Sequence, residues 1–294
     1  MTSPNAVFLG LTTLDVVQRV DGPPRRGIKQ VVESTELSAG GPAANAAVTA
    51  AAMLGEATLV TAIGHRAAAA TVRTDLEAHG VRIIDLAAGH GPGAAAFSLP
   101  VSTCVVEPDG TRTVLSTSAL RSRLQLDDAA RQALAGAHAV MLDGHHPVAA
   151  GMALGQVADT GCLLVLDAGS VKPAAESWLS WIDVVAGSAD YAAGLGTDLA
   201  GAVGHVLEAG ATSAVMTDGH RPTLWQSVIE RGSVTPPQVR AVDTLGAGDA
   251  FHGALVASLL LDGGQLAHAV ERAIRVASLR VQHAGARGWL RHLR

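Results

Sequence analysis

The stretch AVDTLGAGDAFHGAL (241–255) holds the residues with the most evident chemical capacity in the chain. It passes from a short extended segment through a glycine turn into a long apolar helix. Gly246 and Gly248 lack a Cβ, so the backbone can turn tightly there and aim several N–H groups in one direction. Donors at a helix N-terminus sit where the macrodipole places about half a positive charge, which suits a phosphoryl group in transfer. Asp249 falls in the first helical turn, beside that anion site. A carboxylate there can accept the proton of an alcohol as its oxygen attacks phosphorus, while the N–H groups of Gly246, Ala247 and Gly248 bind the developing charge. The helix-end charge is expected to keep that carboxylate ionised. An acid in a first turn also serves the helix alone. The chemical reading therefore rests on nest, carboxylate and small-residue helix occurring together.

Those residues need a scaffold. Short aliphatic runs at 6–10, 57–64, 137–144, 162–169, 182–188 and 212–219 read as buried strands. Helical stretches are expected between them at 41–54, 67–79, 127–134, 147–160 and 199–209. The alternation predicts an α/β fold, a central mostly parallel sheet flanked by helices, with ligands beyond the carboxyl ends of the strands. Residues 11–38 and 93–118 break the pattern with strands and no helices, and EPDG (107–110) signals a turn between two of them. They read as a small β-strand lid over the open edge of the sheet, plain surface hairpins being the alternative. The C-terminal third reads as all-helical, with helices near 246–261 and 265–283. The whole of 1–294 is expected to be one domain with this lid.

Composition bounds the partners. The chain has 294 residues, 48% hydrophobic and 16% charged, which excludes intrinsic disorder. A net charge of −5, with lysine only at Lys29 and Lys172, argues against nucleic acid. Cys104 and Cys162 form no spaced pair, so a reducing compartment is expected. The N-terminus lacks a basic leader pattern. The longest apolar tract, 42–64, is mostly alanine and is interrupted by Asn45 and Glu56, whereas a span needs about 20 strongly apolar residues. A cytoplasmic protein without membrane or nucleic-acid contacts is expected.

Residues 241–255 resemble the C-terminal signature of the ribokinase-like (PfkB) family of carbohydrate kinases. SAGGPAANAAVTAAAMLG (38–55) resembles that family's other signature, and Asp15 in GLTTLD (10–15) matches its sugar-binding aspartate. The resemblance implies ATP-dependent transfer of the γ-phosphoryl group to a primary hydroxyl of a furanose-form sugar. Asp249 would be the base, Gly246, Ala247 and Gly248 the anion hole, and Asp15, Gly41 and Asn45 the partners of sugar hydroxyls. Thr217 and Gly219 match the place of the nucleotide; an ordinary strand end is the alternative there. Asp243 and the backbone of Leu245 match part of a monovalent-cation loop of some members, which implies K+. Mg2+ is expected with the triphosphate.

Departures accompany the match. GHRAAAA (64–70) stands where Gly-Asp-Asp is usual. Ser188 takes the Asn place and Tyr191 the Glu place of an Asn-x-x-Glu motif tied to magnesium, with Asp190 adjacent and able to act through water. GGPAA (40–44) looks closer to the ketohexokinase and sulfofructose-kinase branch, so a ketose is favoured. In DGHHP (143–147), His145 and His146 are expected on opposite sides of a strand, with His145 facing the sugar, a solvated loop histidine being the alternative. Arg25 and Arg26 in the lid could meet an anionic group, or be solvated charges. A homodimer through the lid is expected. A nucleoside kinase of the same fold, and a sugar- or nucleotide-binding protein with weakened catalysis, are the alternatives.

Overall fold

A computed structural model describes residues 4–89, 97–108, 111–119 and 121–293. Along the chain run β1 (Ala6–Leu9), β2 (Thr13–Arg19), β3 (Ser34–Gly40), α1 (Pro42–Leu54), β4 (Ala57–Thr61), α2 (Ala67–Ala78) and β5 (Val81–Asp85). Next come β6 (Val101–Val106), β7 (Arg112–Ser116), α3 (Asp128–Ala135), β8 (Ala139–Leu142), α4 (Pro147–Val157) and β9 (Leu163–Ala168). The chain continues through α5 (Pro173–Glu176), β10 (Val184–Ser188), α6 (Ala189–Gly194), α7 (Leu199–Glu208), β11 (Ser213–Asp218), β12 (Arg221–Ser227) and β13 (Arg231–Val234). The last helices are α8 (Ala247–Leu261) and α9 (Leu266–Arg280).

The main sheet has nine strands in the order β13-β12-β11-β10-β9-β8-β1-β4-β5. Every pair from β5 across to β11 is parallel, and β12 and β13 add an antiparallel edge. β1 and β8 are buried at every position, as strands covered on both faces require. From β1 the chain first builds outward through β4 and β5, then returns to β8 on the other side. That reversal opens a crevice beyond the carboxyl ends of β1 and β8, the place where open α/β sheets bind ligands. One face of the sheet is covered by α1, α8 and α9 in a shared core. The other face packs against α3, α4 and α7.

Alanine and glycine let α1 and α8 approach until backbone meets backbone. A Cβ added at Gly253 of α8 would fall on the Ala46 carbonyl of α1. α8 is buried continuously from Ala250 to Leu259, so it is a core helix rather than an amphipathic one.

A second sheet runs β3-β2-β6-β7. It comprises the strands expected within 11–38 and 93–118. Residues 93–96 of that range, and Asp109 and Gly110 of the EPDG turn, lie outside the described residues. Val17, Cys104 and Val106 form its buried row, against which Leu245 packs.

Three expectations require correction. The C-terminal third is not all-helical: after β11, which matches the strand expected at 212–219, β12 and β13 lie within it. In β12, Thr223 and Trp225 are buried while Leu224 and Gln226 are not, a two-residue period that is short and interrupted by Pro222. β5 and the short α5 and α6 were also unanticipated. Finally, the strand read to Gly144 ends at Leu142. Gly144 and His146 take left-handed backbone angles, with φ of 77° and 51°, so His145 and His146 lie in a turn and not on opposite faces of a strand. Among the described residues, no helix is long and apolar enough to cross a membrane.

Candidate active site

The turn before α8 has the form its glycines allow. Gly246 is the N-cap of α8 at φ 73°, a left-handed conformation that strains any side chain, and no side chain caps this helix end. Asp249 is half-buried in the first turn, and Asn45 Nδ2 donates to its Oδ2 at 2.8 Å. Burial pushes the Asp249 pKa up to about 6. The Asn45 hydrogen bond and His252 oppose that rise, while the negative charges of Asp167 and Asp15 add to it. Burial thus outweighs the helix-end charge, although the group is still mostly ionised at neutral pH. Asp167, at the end of β9, accepts from Gly169 N at 2.9 Å and lies 3.4 Å from His252 Nδ1.

Across the crevice stands Asp15 of β2. Thr13 Oγ1 donates to its Oδ1, and its carboxylate fills the volume that a Cβ on Gly40 would need. Burial raises the Asp15 pKa, against the Thr13 hydroxyl and Arg287. Gly41, at φ 95°, caps α1 where a Cβ would strike the Leu11 carbonyl. The Gly-Gly pair is therefore a steric necessity of the site.

Asn45 is held from behind. Arg287 Nη1 donates to Asn45 Oδ1 at 2.9 Å, and Arg287 Nη2 donates to the Ala39 carbonyl at 2.7 Å and to Asp75 at 3.0 Å. With its oxygen bonded to a guanidinium, the Asn45 amide must turn its NH2 toward Asp249. Asp143 supports the same corner. Its Oδ2 accepts from Leu11 N (2.8 Å) and Ala43 N (3.2 Å), and its Oδ1 from His145 N (2.9 Å), joining the ends of β1 and β8 to the first turn of α1. Burial alone would raise its pKa, but His145 and these N–H groups hold the carboxyl well below the usual range.

Several of these groups line a cleft whose empty space, open solvent included, is about 480 Å³. Asp15, Asn45, Asp243, Leu245 and Gly246 line it, together with Arg280 and Arg287. Gly41 stands behind it at the cap of α1, and Asp249 borders it through Asn45. His145 is not among the lining residues; it is buried with Nδ1 3.2 Å from Asp143 Oδ1. Ser188 caps α6, accepting from Asp190 N and Tyr191 N and donating to the Gly169 carbonyl at 3.0 Å. It sits in register with Thr217 on the neighbouring strand, whose Oγ1 donates to the Gly187 carbonyl at 3.2 Å. Gly219 turns the chain from β11 to β12 at φ 54°. The three share one end of the main sheet, away from the cavity wall. Asp190 is exposed, whereas Tyr191 is fully buried and donates to Glu176 Oε1 at 2.9 Å. In the segment at 64–70, His65 Nε2 pairs with the Ala88 carbonyl at 2.9 Å and Arg66 precedes α2. Arg25 and Arg26 are exposed.

Where a monovalent cation was expected, Asp243 meets nitrogen. Arg19 Nη2 (3.0 Å), Leu245 N (3.0 Å) and Gly285 N (3.1 Å) all donate to its carboxylate. Sequence reasoning also missed Arg287, Asp143, Asp167 and Arg280. Asp143 lies in the DGHHP segment and Asp167 in the strand expected at 162–169, whereas Arg280 and Arg287 carry no local signal.

The model of the pfkB family carbohydrate kinases matches residues 3–292. The chain is 25% identical over 292 residues to a ribokinase of Staphylococcus aureus (strain COL), covering 95% of this chain and 94% of that protein. It is 28% identical over 283 residues to an ATP-dependent ribose-1-phosphate kinase of Halopiger xanaduensis, covering 92% and 88%. Its fold superposes on Arabidopsis thaliana ribokinase, solved with ribose and ATP, with a TM-score of 0.80 at 19% identity over 100% of this chain and 99% of that one.

Proposed function

Because the chain belongs to the pfkB family of carbohydrate kinases, we propose that it transfers the γ-phosphoryl group of ATP to a primary hydroxyl of a furanose-form sugar. The observation that carries this reading is the Asn45–Asp249 hydrogen bond at a helix N-terminus, with Asp15 facing it across one cavity. Asp15 and the Asn45 amide orient the sugar through its hydroxyls. Asp249 takes the proton of the attacking hydroxyl, and the N–H groups of Gly246, Ala247 and Gly248 bind charge as it develops on the transferring group. The nucleotide lies along the ends of β10 and β11, toward Ser188, Thr217 and Gly219. The second sheet acts as a lid that closes over the sugar and excludes water.

Magnesium fits this donor set as an ion that arrives with the triphosphate. Among the described residues no three metal-ligating side chains cluster, and magnesium commonly takes one or two carboxylates plus phosphates and water. Asp190 would meet it through water. The ion's contribution is to neutralise phosphate charge.

The acceptor is a neutral sugar. The two arginines that line the cavity are already matched to carboxylates, Arg287 to Asp75 at 3.0 Å and Arg280 to Asp243 at 3.7 Å. The similar proteins include a ribokinase and a ribose-1-phosphate kinase, whereas the GGPAA segment favours a ketose. The deciding experiment is ATP consumption across ketoses, ribose and other aldoses, sugar phosphates and nucleosides. Turnover is expected with a free ketose or pentose; turnover confined to nucleosides or sugar phosphates would overturn the neutral-sugar reading.

One observation favours a second reading, a binding protein with weakened catalysis. The magnesium-linked Glu place is filled by Tyr191, wholly buried and bonded to Glu176. Calorimetric sugar binding with no turnover across the whole panel would select it.

A further inference from the structure

We propose that Arg280 is a built-in cation, standing where a monovalent metal ion would otherwise support the anion-hole turn, so that the protein works without potassium or sodium. The inference rests on the kinase reading for its catalytic consequence but not for its geometry.

Arg280 ends α9, and its side chain is almost wholly buried beneath residues 243–246. Its Nη1 donates to the His283 carbonyl at 2.9 Å and to the Asp243 carbonyl at 3.4 Å, while its Nη2 lies 3.7 Å from Asp243 Oδ2. A Cβ on Gly246 would lie 4.0 Å from its Nε. Two carbonyl oxygens and a carboxylate therefore converge on one guanidinium. These are hard oxygen donors of the kind that hold alkali and alkaline-earth ions. A metal ion does not fit beside them. Asp243 Oδ1 already accepts from Leu245 N–H and Oδ2 from Gly285 N–H and Arg19, with the Arg280 guanidinium 3.7 Å from Oδ2, so both oxygens face N–H donors and fixed positive charge.

The charges give the arrangement its purpose. The Asp243 carboxylate faces two guanidinium groups, Arg19 and Arg280, beneath the turn that presents Gly246. A guanidinium stays charged at any working pH and, being covalently attached, is not lost at low salt. Arg280 touches no reacting atom. It acts as a positioning residue through Asp243, whose bond to Leu245 N–H fixes the approach to Gly246, and through the His283–Gly285 segment that leads to Arg287.

The test compares kcat, KM and thermal midpoint in tetramethylammonium, Na+, K+ and Cs+ at constant ionic strength. Wild-type kcat is expected to vary by no more than about twofold and the midpoint to be unchanged. Arg280→Ala opens the oxygen donors: its kcat should fall about 10- to 100-fold in tetramethylammonium and recover in K+, its midpoint becoming K+-dependent. Arg280→Lys should retain indifference to the salt. A wild-type kcat or midpoint that rises strongly with K+ overturns the proposal, as does an Arg280→Ala protein equally impaired in all four salts. If Arg280→Ala does not fold, the wild-type series and Arg280→Lys still decide. If no acceptor is found, the midpoints decide separately from the kinase reading.

Discussion

At the scale of single residues, Asp249 combines two demands that conflict. Its burial leaves a carboxylate with a pKa pushed up to about 6, against an ordinary value of 3.8. The folded state thus binds that proton more tightly than the unfolded chain. The ionised carboxylate consequently costs stability above about pH 6, and the cost is relieved as pH falls from 6 toward 4. Asp249→Asn should abolish phosphoryl transfer by several orders of magnitude while raising the thermal midpoint at pH 7.5, a gain that shrinks at pH 5. Equal melting at both pH values, or comparable turnover, would count against the assigned base. The same shift predicts an acid limb in kcat/KM near pH 6. Asp167→Asn removes a neighbouring negative charge, makes ionisation of Asp249 easier and should move that limb to lower pH. A limb that moves upward in this variant would refute the electrostatic assignment.

At the scale of elements, the site depends on how closely α1 and α8 approach. Asn45 on α1 reaches Asp249 on α8 because Gly253 lets the Ala46 carbonyl sit where a side chain would be. Gly253→Val should cost about 1–3 kcal/mol by overpacking. By parting the helices it should also raise the sugar KM and lower kcat. Gly151→Ala in α4, where a Cβ meets open space, serves as the control expected to retain full activity. Unchanged sugar kinetics in a folded Gly253→Val protein would show that the contact does not position Asn45. The same elements explain what the sequence made legible. Asp15, Asn45 and Asp249 each lie in a local pattern, a strand end or a glycine turn opening a small-residue helix, and such patterns can be read within a few residues. Arg287 acts on Asn45 across 242 residues of chain, and Asp143 on Leu11 across 132, so neither pairing leaves a local trace. His145 was assigned to the sugar because the strand was read two residues too far, past Leu142 into a turn set by left-handed Gly144 and His146. β5 escaped notice because Arg82 interrupts a run of only five residues, too short for periodicity to separate strand from helix.

At the scale of the whole molecule, the second sheet has two apolar faces, and the described residues cover one. Val17, Cys104 and Val106 turn inward and pack with Leu245. On the opposite face, the register places Leu37, Val16, Thr103 and Leu115 side by side across β3, β2, β6 and β7. Leu37 is 54% exposed and Leu115 is 68% exposed. An uncovered apolar row on a four-stranded sheet invites association, and a second copy of the same row closes it by two-fold symmetry. The expected assembly is a homodimer through this face, measurable by sedimentation velocity at micromolar concentration. Leu37→Lys combined with Leu115→Lys should yield monomers, because like charges would then face each other across the axis. The sheet also carries Asp15 on β2, so a partner that stiffens it bears on closure over the sugar. The monomeric variant should therefore lose sugar affinity more than kcat. A wild-type protein that sediments as a monomer, or a double variant that remains dimeric, would place the interface elsewhere.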